Sequence, residues 1–177
     1  MLLASNDTAE AYAALQAGVL ELCGTQLLQS DSVPVLRAAA LLVHALASQN
    51  DQAVRALTHS VLAPPNTVMP RLIALIRGAS NMGGPVEVTV LEAVLLALGS
   101  LCGGADSSIG AEPERGGTTQ MQRTMSQMFA SDVSALSSLI ALAAGTHASS
   151  RGVSPATSAA ALRLIEELSH EASVGRA

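Results

Sequence analysis

The sequence predicts an all-α protein in which short helical units stack side by side as an α-solenoid. Apolar residues recur at helical spacing through most of the 177 residues. Hydrophobic residues make up 49% of the chain and charged residues only 13%, which favours helices that are buried on more than one side. Three prolines each open a long apolar segment: Pro34, Pro85 and Pro155. Because each unit has an apolar face that only a neighbour can cover, we expect three units to share one core.

The chain begins with two predicted helices. Asp7 and Thr8 can cap a short helix over residues 9–16, which Gly18 then interrupts. A second helix is predicted over residues 19–29. Its apolar residues have helical spacing: Val19, Leu20, Cys23 and Leu27.

Repeat 1, about residues 8–48, ends with a third and longer helix. The polar turn at residues 30–32 supplies N-cap oxygens, and Pro34 lies in the first turn, where a missing N–H costs nothing. The helix continues to about Ser48. One face is apolar: Leu36, Ala39, Ala40, Val43 and Leu46.

Repeat 2 spans about residues 50–102. Asn50-Asp51 is a capping pair for a helix over residues 52–62, and Pro64-Pro65 end that helix. The next helix is predicted over residues 68–77. Its inward positions are Leu72, Ile73 and Ile76.

The long segment from Pro85 to Cys102 carries conflicting patterns. Val86, Val88 and Val90 alternate like a β-strand, whereas the continuation VLEAVLLALGSLC has a strong helical period. We interpret the whole segment as one helix, whose first turn conflicts most with the pattern.

Residues 103–117, GGADSSIGAEPERGG, hold five glycines and a proline and predict a flexible loop. A phosphate-binding loop is the alternative interpretation. No Gly-Lys-Ser/Thr sequence follows, which argues against it.

Repeat 3, about residues 118–173, begins with a Met-rich helix to about Ala130. Its apolar stripe has helical spacing: Met121, Met125, Met128 and Phe129. Such a stripe usually fills a core, and an adaptable docking surface is the alternative.

Two further helices complete repeat 3. Ser131 or Asp132 caps the first, which Gly145 ends as the C′ residue. Ser154 caps the second and Pro155 begins it.

The segment AGVLELCGTQLLQSDSVPVLRAAALLVHALA, residues 17–47, resembles the armadillo repeat family. It matches an Ala-Gly before the second helix, Leu-rich spacing, a polar turn and an Ala-rich third helix that ends in Leu-x-x-Leu-Ala. Units two and three match more loosely, through VMPRLIALIRG…VLEAVLLALGSLC and DVSALSSLIALAAG…AAALRLIEELS. The HEAT family is the second resemblance. Either implies one domain over residues 1–177, a right-handed α-solenoid of about three armadillo-like three-helix repeats.

The armadillo resemblance also implies a concave groove, lined by the third helices, that holds an extended peptide. In nuclear-import receptors a Trp and an Asn, four residues apart on each third helix, do much of the binding. The corresponding partner-binding positions here are Leu41 and Ala45, Leu96 and Ser100, and Arg163 and Glu167. Because the Trp/Asn pattern is missing, we expect a helix or an apolar peptide rather than a basic import signal. The alternative is a structural role for these positions, with Arg163 and Glu167 paired at i,i+4.

Composition argues against several other functions. All nine basic residues are arginines without a basic stripe, and the chain has one Phe, one Tyr and no Trp, so nucleic-acid binding is not expected. The sequence contains no run of 18 consecutive apolar residues, so no membrane span is predicted. No cofactor or catalytic site is expected, because the sequence contains no catalytic motif. No metal site is expected either, since the four histidines lack metal-ligand spacing, apart from Glu166-Glu167 beside His170.

Cys23 and Cys102 lie in apolar helical patterns, which predicts buried reduced thiols and a cytoplasmic, reducing compartment. The N-terminal residues resemble neither a secretory signal nor a transit peptide. The expected function is a non-enzymatic protein–protein interaction or scaffold module within a larger protein or assembly. A nucleotide-exchange regulator of a heat-shock chaperone is the alternative, by fold analogy. Self-association through apolar terminal repeats is a further expectation.

Overall fold

The computed structural model describes residue 13 and residues 18–49, 68–78, 85–103, 116–146 and 153–174. Within these ranges the chain forms seven α-helices and one short 3₁₀ helix, with no β-strand, so the predicted all-α fold is confirmed. The helices are α1 (Val19–Thr25), a 3₁₀ helix (Leu27–Gln29), α2 (Val33–Gln49), α3 (Val68–Gly78), α4 (Pro85–Gly103), α5 (Gly116–Ser131), α6 (Val133–Ala143) and α7 (Pro155–Val174). The predicted helix over 52–62, its capping pair Asn50-Asp51, and all of the helix over 9–16 except residue 13 lie outside the described residues.

Helix α1 is shorter than the helix that the sequence predicts over residues 19–29. α1 ends at Thr25, Gln26 leaves the helical conformation (φ −124°, ψ −58°), and a 3₁₀ turn follows, so the prediction of one helix to Gln29 is wrong. The side-chain amide of Gln29 donates to the carbonyl of Gly24 at 3.2 Å. This bond occupies an oxygen that a continuing helix would use for its own amide, and Gly24 itself has low helix propensity.

α4 settles the conflict between strand and helix patterns. It is continuous from Pro85, so Val86 to Val90 are helical as predicted. Buried residues recur along it at helical spacing: Val90, Leu91, Val94, Leu98 and Leu101. The apolar period of the longer segment therefore prevails over the local β-branched alternation. Gly103 still belongs to α4, and Gly116 and Gly117 already belong to α5, so the predicted loop is wrong at both ends; residues 104–115, the rest of that loop, lie outside the described residues.

Three predicted helix caps are confirmed. Asp132 Oδ1 accepts a hydrogen bond at 3.0 Å from the amide three residues further on and so caps α6. Gly145 has a φ of 66°, and the amide after it donates to the carbonyl of Ala141 at 3.0 Å, which closes α6 with a Schellman motif. Ser154 Oγ accepts from the amide three residues further on at 3.0 Å and caps α7.

Two sets of helices pack in sequence order. Among the long helices that prolines open, α4 packs against both α2 and α7. Among the shorter helices, α3 packs against both α1 and α6. α5 contacts α4 and α7, and one buried cluster connects all of these helices. α4 is therefore the central helix of the core.

The Met-rich helix α5 contributes to this core. Met125 and Phe129 are fully buried, and Met128 is half-buried against the same cluster. The thiol of Cys102 lies 3.3 Å from the sulfur of Met125. Met125, Met128 and Phe129 therefore fill the space beside α4, as sulfur-containing side chains often do. The side chain of Met121 lies outside the described residues.

Candidate functional site

An open depression of about 590 Å³ lies where α2, α4 and α7 meet. We call it the groove, and its lining residues come from these three helices. Of the six positions that the sequence predicts for partner binding, four line it: Leu96, Ser100, Arg163 and Glu167. Leu41, which is exposed, and Ala45, which is half-buried, are on α2 but are not among the lining residues.

α4 forms the central part of the groove. Glu92, Leu96 and Ser100 are spaced four residues apart and so share one helix face. Leu95 and Gly99 also line the groove. Leu96 is 37% exposed although its helix is the central one among the described helices, so the groove contains an uncovered apolar surface.

α7 contributes small residues first and charged residues later. Ala156, Ala159 and Ala160 line one part of the groove, and Arg163 and Glu167 line the part nearer the C-terminal end of the helix. The alanine side chains are small and Gly99 has no side chain, so a partner backbone has room to approach closely. The groove therefore combines a small-residue surface with fixed charges.

α2 contributes His44 and Ser48, which sequence reasoning missed. The Nδ1 atom of His44 hydrogen-bonds Oγ of Ser100 on α4. The hydroxyl of Ser100 donates to the carbonyl of Leu96 at 2.9 Å, so it accepts from His44. When the ring is neutral, this arrangement places its proton on Nδ1 and leaves the Nε2 lone pair as the acceptor.

Glu167 is held from the side of α5. Its Oε2 accepts a hydrogen bond from Nε2 of Gln122 at 3.3 Å. The pKa of the Cys102 thiol is raised to about 12, mainly by burial and secondly by the negative charge of Glu167. Glu167 thus lies between the groove and the buried cluster.

The charged groups of the groove are not paired with one another. Arg163 and Glu167 form no ion pair within 4.0 Å, so the predicted i,i+4 pairing is absent. Glu92 also forms no ion pair with a basic side chain among the residues that the structure describes. Two carboxylates and one guanidinium thus remain available to a partner.

Helical neighbours of the predicted positions would have revealed the missed residues. His44 and Ser48 lie three and seven residues after Leu41, and Glu92 lies four before Leu96. Each falls on the face that the armadillo alignment selects. Considering the whole face of each third helix, rather than two positions, would have found them.

The described residues offer little for catalysis. No three His, Cys, Asp or Glu side chains among them lie close enough together to hold a metal ion. Cys23 and Cys102 are free and buried, and burial raises the pKa of Cys23 to about 11, so neither thiol is activated as a nucleophile. In the same part of the chain no helix has both the length and the apolarity to cross a bilayer.

A second apolar surface lies on α6, away from the groove. Its exposed residues are Val133, Leu136 and Ile140, at spacings of three and four residues on one helix face. Val133 is 72% exposed. Leu162 on the neighbouring α7 is 50% exposed. These residues are on the last two helices of the series.

Comparison with known proteins gives no relative: no family model, no curated protein and no solved structure matches this chain. The described residues form an all-helical arrangement with an open groove across three long helices.

Proposed function

We propose that this chain is a non-enzymatic protein–protein interaction module that binds a helix or an extended peptide of a partner in the groove. We further propose that its helices form an armadillo-like solenoid, in which α2, α4 and α7 are the third helices of three repeats. As a module of this kind it would act as a scaffold within a larger protein or assembly. A cytoplasmic location remains a prediction.

One observation carries the proposal. Positions that the sequence predicts for the concave face of two separate repeats, Leu96 and Ser100 on α4 and Arg163 and Glu167 on α7, line the same depression. The two pairs are far apart in the chain, since 63 positions separate Ser100 from Arg163. A purely structural role for these positions would not require them to face a common open space.

The packing order supports the repeat interpretation. In a solenoid each unit contacts its neighbours, so equivalent helices touch in chain order. α2 packs on α4 and α4 on α7, while α1 packs on α3 and α3 on α6. α5 precedes α6 as the first helix of the third unit. The predicted first helices of the other two units lie outside the described residues, apart from residue 13.

The chemistry of the groove favours a polypeptide over a small substrate. The groove has a volume of about 590 Å³, is open to solvent and spans three helices. Its lining residues include leucine and alanine as well as serine, glutamate and arginine. Protein interfaces combine an apolar centre with a polar rim in this way. Leu96 offers the exposed apolar side chain at the centre, and the alanines of α7 allow close approach.

Selection from a phage-displayed library of random peptides tests the proposal. We expect the full chain to enrich peptides that bind with micromolar dissociation constants, the weaker end of the range typical of specific complexes. Leu96→Gln should weaken these peptides about tenfold or more, because it places an amide at the apolar centre of the groove. The matched control is Leu162→Gln, which changes a more exposed leucine on α7 outside the groove and should leave affinity unchanged.

Two outcomes would overturn the proposal. One is a selection that enriches no peptide above an unrelated helical protein. The other is a set of peptides whose affinity is equally insensitive to Leu96→Gln and Leu162→Gln, since such peptides would bind another surface.

A further inference from the structure

We infer that the groove selects a partner segment that is mainly apolar and carries a single basic side chain, which offsets the negative charge of Glu92 and Glu167. This inference rests on the proposed function and specifies the chemistry of the partner at the same site. It concerns one lysine or arginine and not a run of basic residues, because the groove supplies two carboxylates among apolar and small side chains.

The two carboxylates come from different helices that line the groove. Glu92 is on α4, Glu167 is on α7, and both are half-buried before any partner binds. Glu167 accepts a hydrogen bond from the neutral amide of Gln122, which leaves its charge uncompensated. Neither carboxylate has a basic partner within 4.0 Å in the part of the chain that the structure describes.

A partner that covers the groove must remove water from these carboxylates. Desolvation of an ionised carboxylate is unfavourable unless an opposite charge or several hydrogen bonds replace the water. A wholly apolar segment would leave both charges uncompensated, and an acidic segment would add repulsion. A segment with one ammonium or guanidinium group restores the lost interaction, so it is selected over the others.

Arg163 does not impose the opposite preference. Its side chain is exposed, and its long apolar stem allows the guanidinium to remain in water at the edge of the groove while a partner binds. His44 is already engaged through Nδ1 with Ser100. The half-buried charges that a partner must compensate are therefore both negative.

Peptide selection on charge variants tests this inference. The test variant is Glu92→Gln/Glu167→Gln, and the matched control is Glu21→Gln/Glu166→Gln, which removes the same charge from exposed positions outside the groove. Peptides selected on the unmodified chain should carry Lys or Arg at one position among apolar residues. A synthetic selected peptide with that residue changed to Met should bind about tenfold more weakly, a difference that corresponds to about 1.4 kcal/mol.

The two double variants should then diverge. On the Glu92→Gln/Glu167→Gln chain the basic peptide and its Met version should bind within about twofold of each other, whereas the control should keep the tenfold difference. Thermal unfolding of each variant confirms that the fold is intact. Calorimetric titration measures the affinities.

Failure of this inference is distinguishable from failure of the proposed function. Selected peptides that lose affinity with Leu96→Gln but show no basic preference would overturn the charge inference and leave the groove as the binding site. A basic preference that persists on the Glu92→Gln/Glu167→Gln chain would also overturn it. An absence of peptides that depend on Leu96 would remove both proposals.

Discussion

His44 on α2 and Ser100 on α4 form a hydrogen bond that joins two neighbouring long helices within the groove. The Ser100 hydroxyl donates to the Leu96 carbonyl of its own helix at 2.9 Å and accepts from the histidine ring. A single serine thus connects the backbone of the central helix to a side chain 56 positions earlier in the chain. This bond orients the imidazole ring and, when the ring is neutral, favours the tautomer with the proton on Nδ1.

Ser100→Ala should destabilise the protein by about 1 kcal/mol, because it leaves the half-buried His44 ring without its partner. The matched control is Ser48→Ala, since the Ser48 hydroxyl bonds only carbonyls of its own helix, at His44 and Ala45. We expect that change to be within about 0.5 kcal/mol of zero. Urea denaturation measures both, and equal losses would contradict the helix-joining role of Ser100. In addition, ¹⁵N NMR of the neutral His44 ring should show the proton on Nδ1.

Asp132 combines two roles, and substitutions separate them. Its Oδ1 caps α6, while its Oδ2 accepts from Arg77 of α3 at 3.3 Å. Asp132→Ala should cost about 1–2 kcal/mol, mainly through the lost cap. Asp132→Asn keeps a capping oxygen and should cost much less, because Arg77 is 55% exposed and such pairs contribute about 0–1 kcal/mol. Thermal unfolding of Arg77→Ala is the control, and a loss as large as that of Asp132→Ala would refute this division.

Local chemistry explains which parts of the fold the sequence predicts. Each of the caps, at Asp132, Gly145 and Ser154, is formed by residues that are close together in the chain, so the sequence alone locates it. The end of α1 at Thr25 involves an equally local bond, from Gln29 to Gly24, but neither a capping residue type nor the apolar period marks it, so the sequence does not predict it.

The site is less predictable than the helices because it depends on how they meet. The armadillo resemblance aligns Leu96 and Glu167 with its groove-facing positions, and both line the groove. The resemblance marks one face of α2 but does not indicate which residues of that face meet α4. The contact of His44 with Ser100 joins positions far apart in the chain, so Leu41 was chosen in place of its neighbour on the same face.

The stability of the protein should fall as pH rises above about 9. Burial raises the pKa of Cys23 to about 11 and, with the Glu167 charge, that of Cys102 to about 12, from an ordinary value of 9.0. Above pH 9.0 the unfolded chain loses these protons while the folded chain keeps them, so the free energy of unfolding decreases until the folded pKa is passed. Cys102→Ala should make this decrease shallower in urea titrations with reductant present. A parallel pH dependence in both proteins would refute the assignment. At neutral pH, iodoacetamide should modify the folded thiols only as fast as the protein opens.

Two glycine substitutions should have opposite effects on stability. Gly145 has a φ of 66°, so Gly145→Ala forces a side chain into the left-handed region and should cost about 1 kcal/mol. Gly99 lies inside α4 with nothing within 4 Å of an added Cβ, so Gly99→Ala should stabilise the protein by about 0.5–1 kcal/mol through helix propensity.

Because Gly99 lines the groove, Gly99→Ala also separates folding from binding. The added methyl group occupies space that a partner backbone would use, so selected peptides should bind about three- to tenfold more weakly to a protein that is more stable. Thermal unfolding and calorimetric titration on the same sample measure the two effects. A gain in stability without any loss of affinity would mean that the partner does not approach α4 at Gly99, and the contact would then have to lie nearer the alanines of α7.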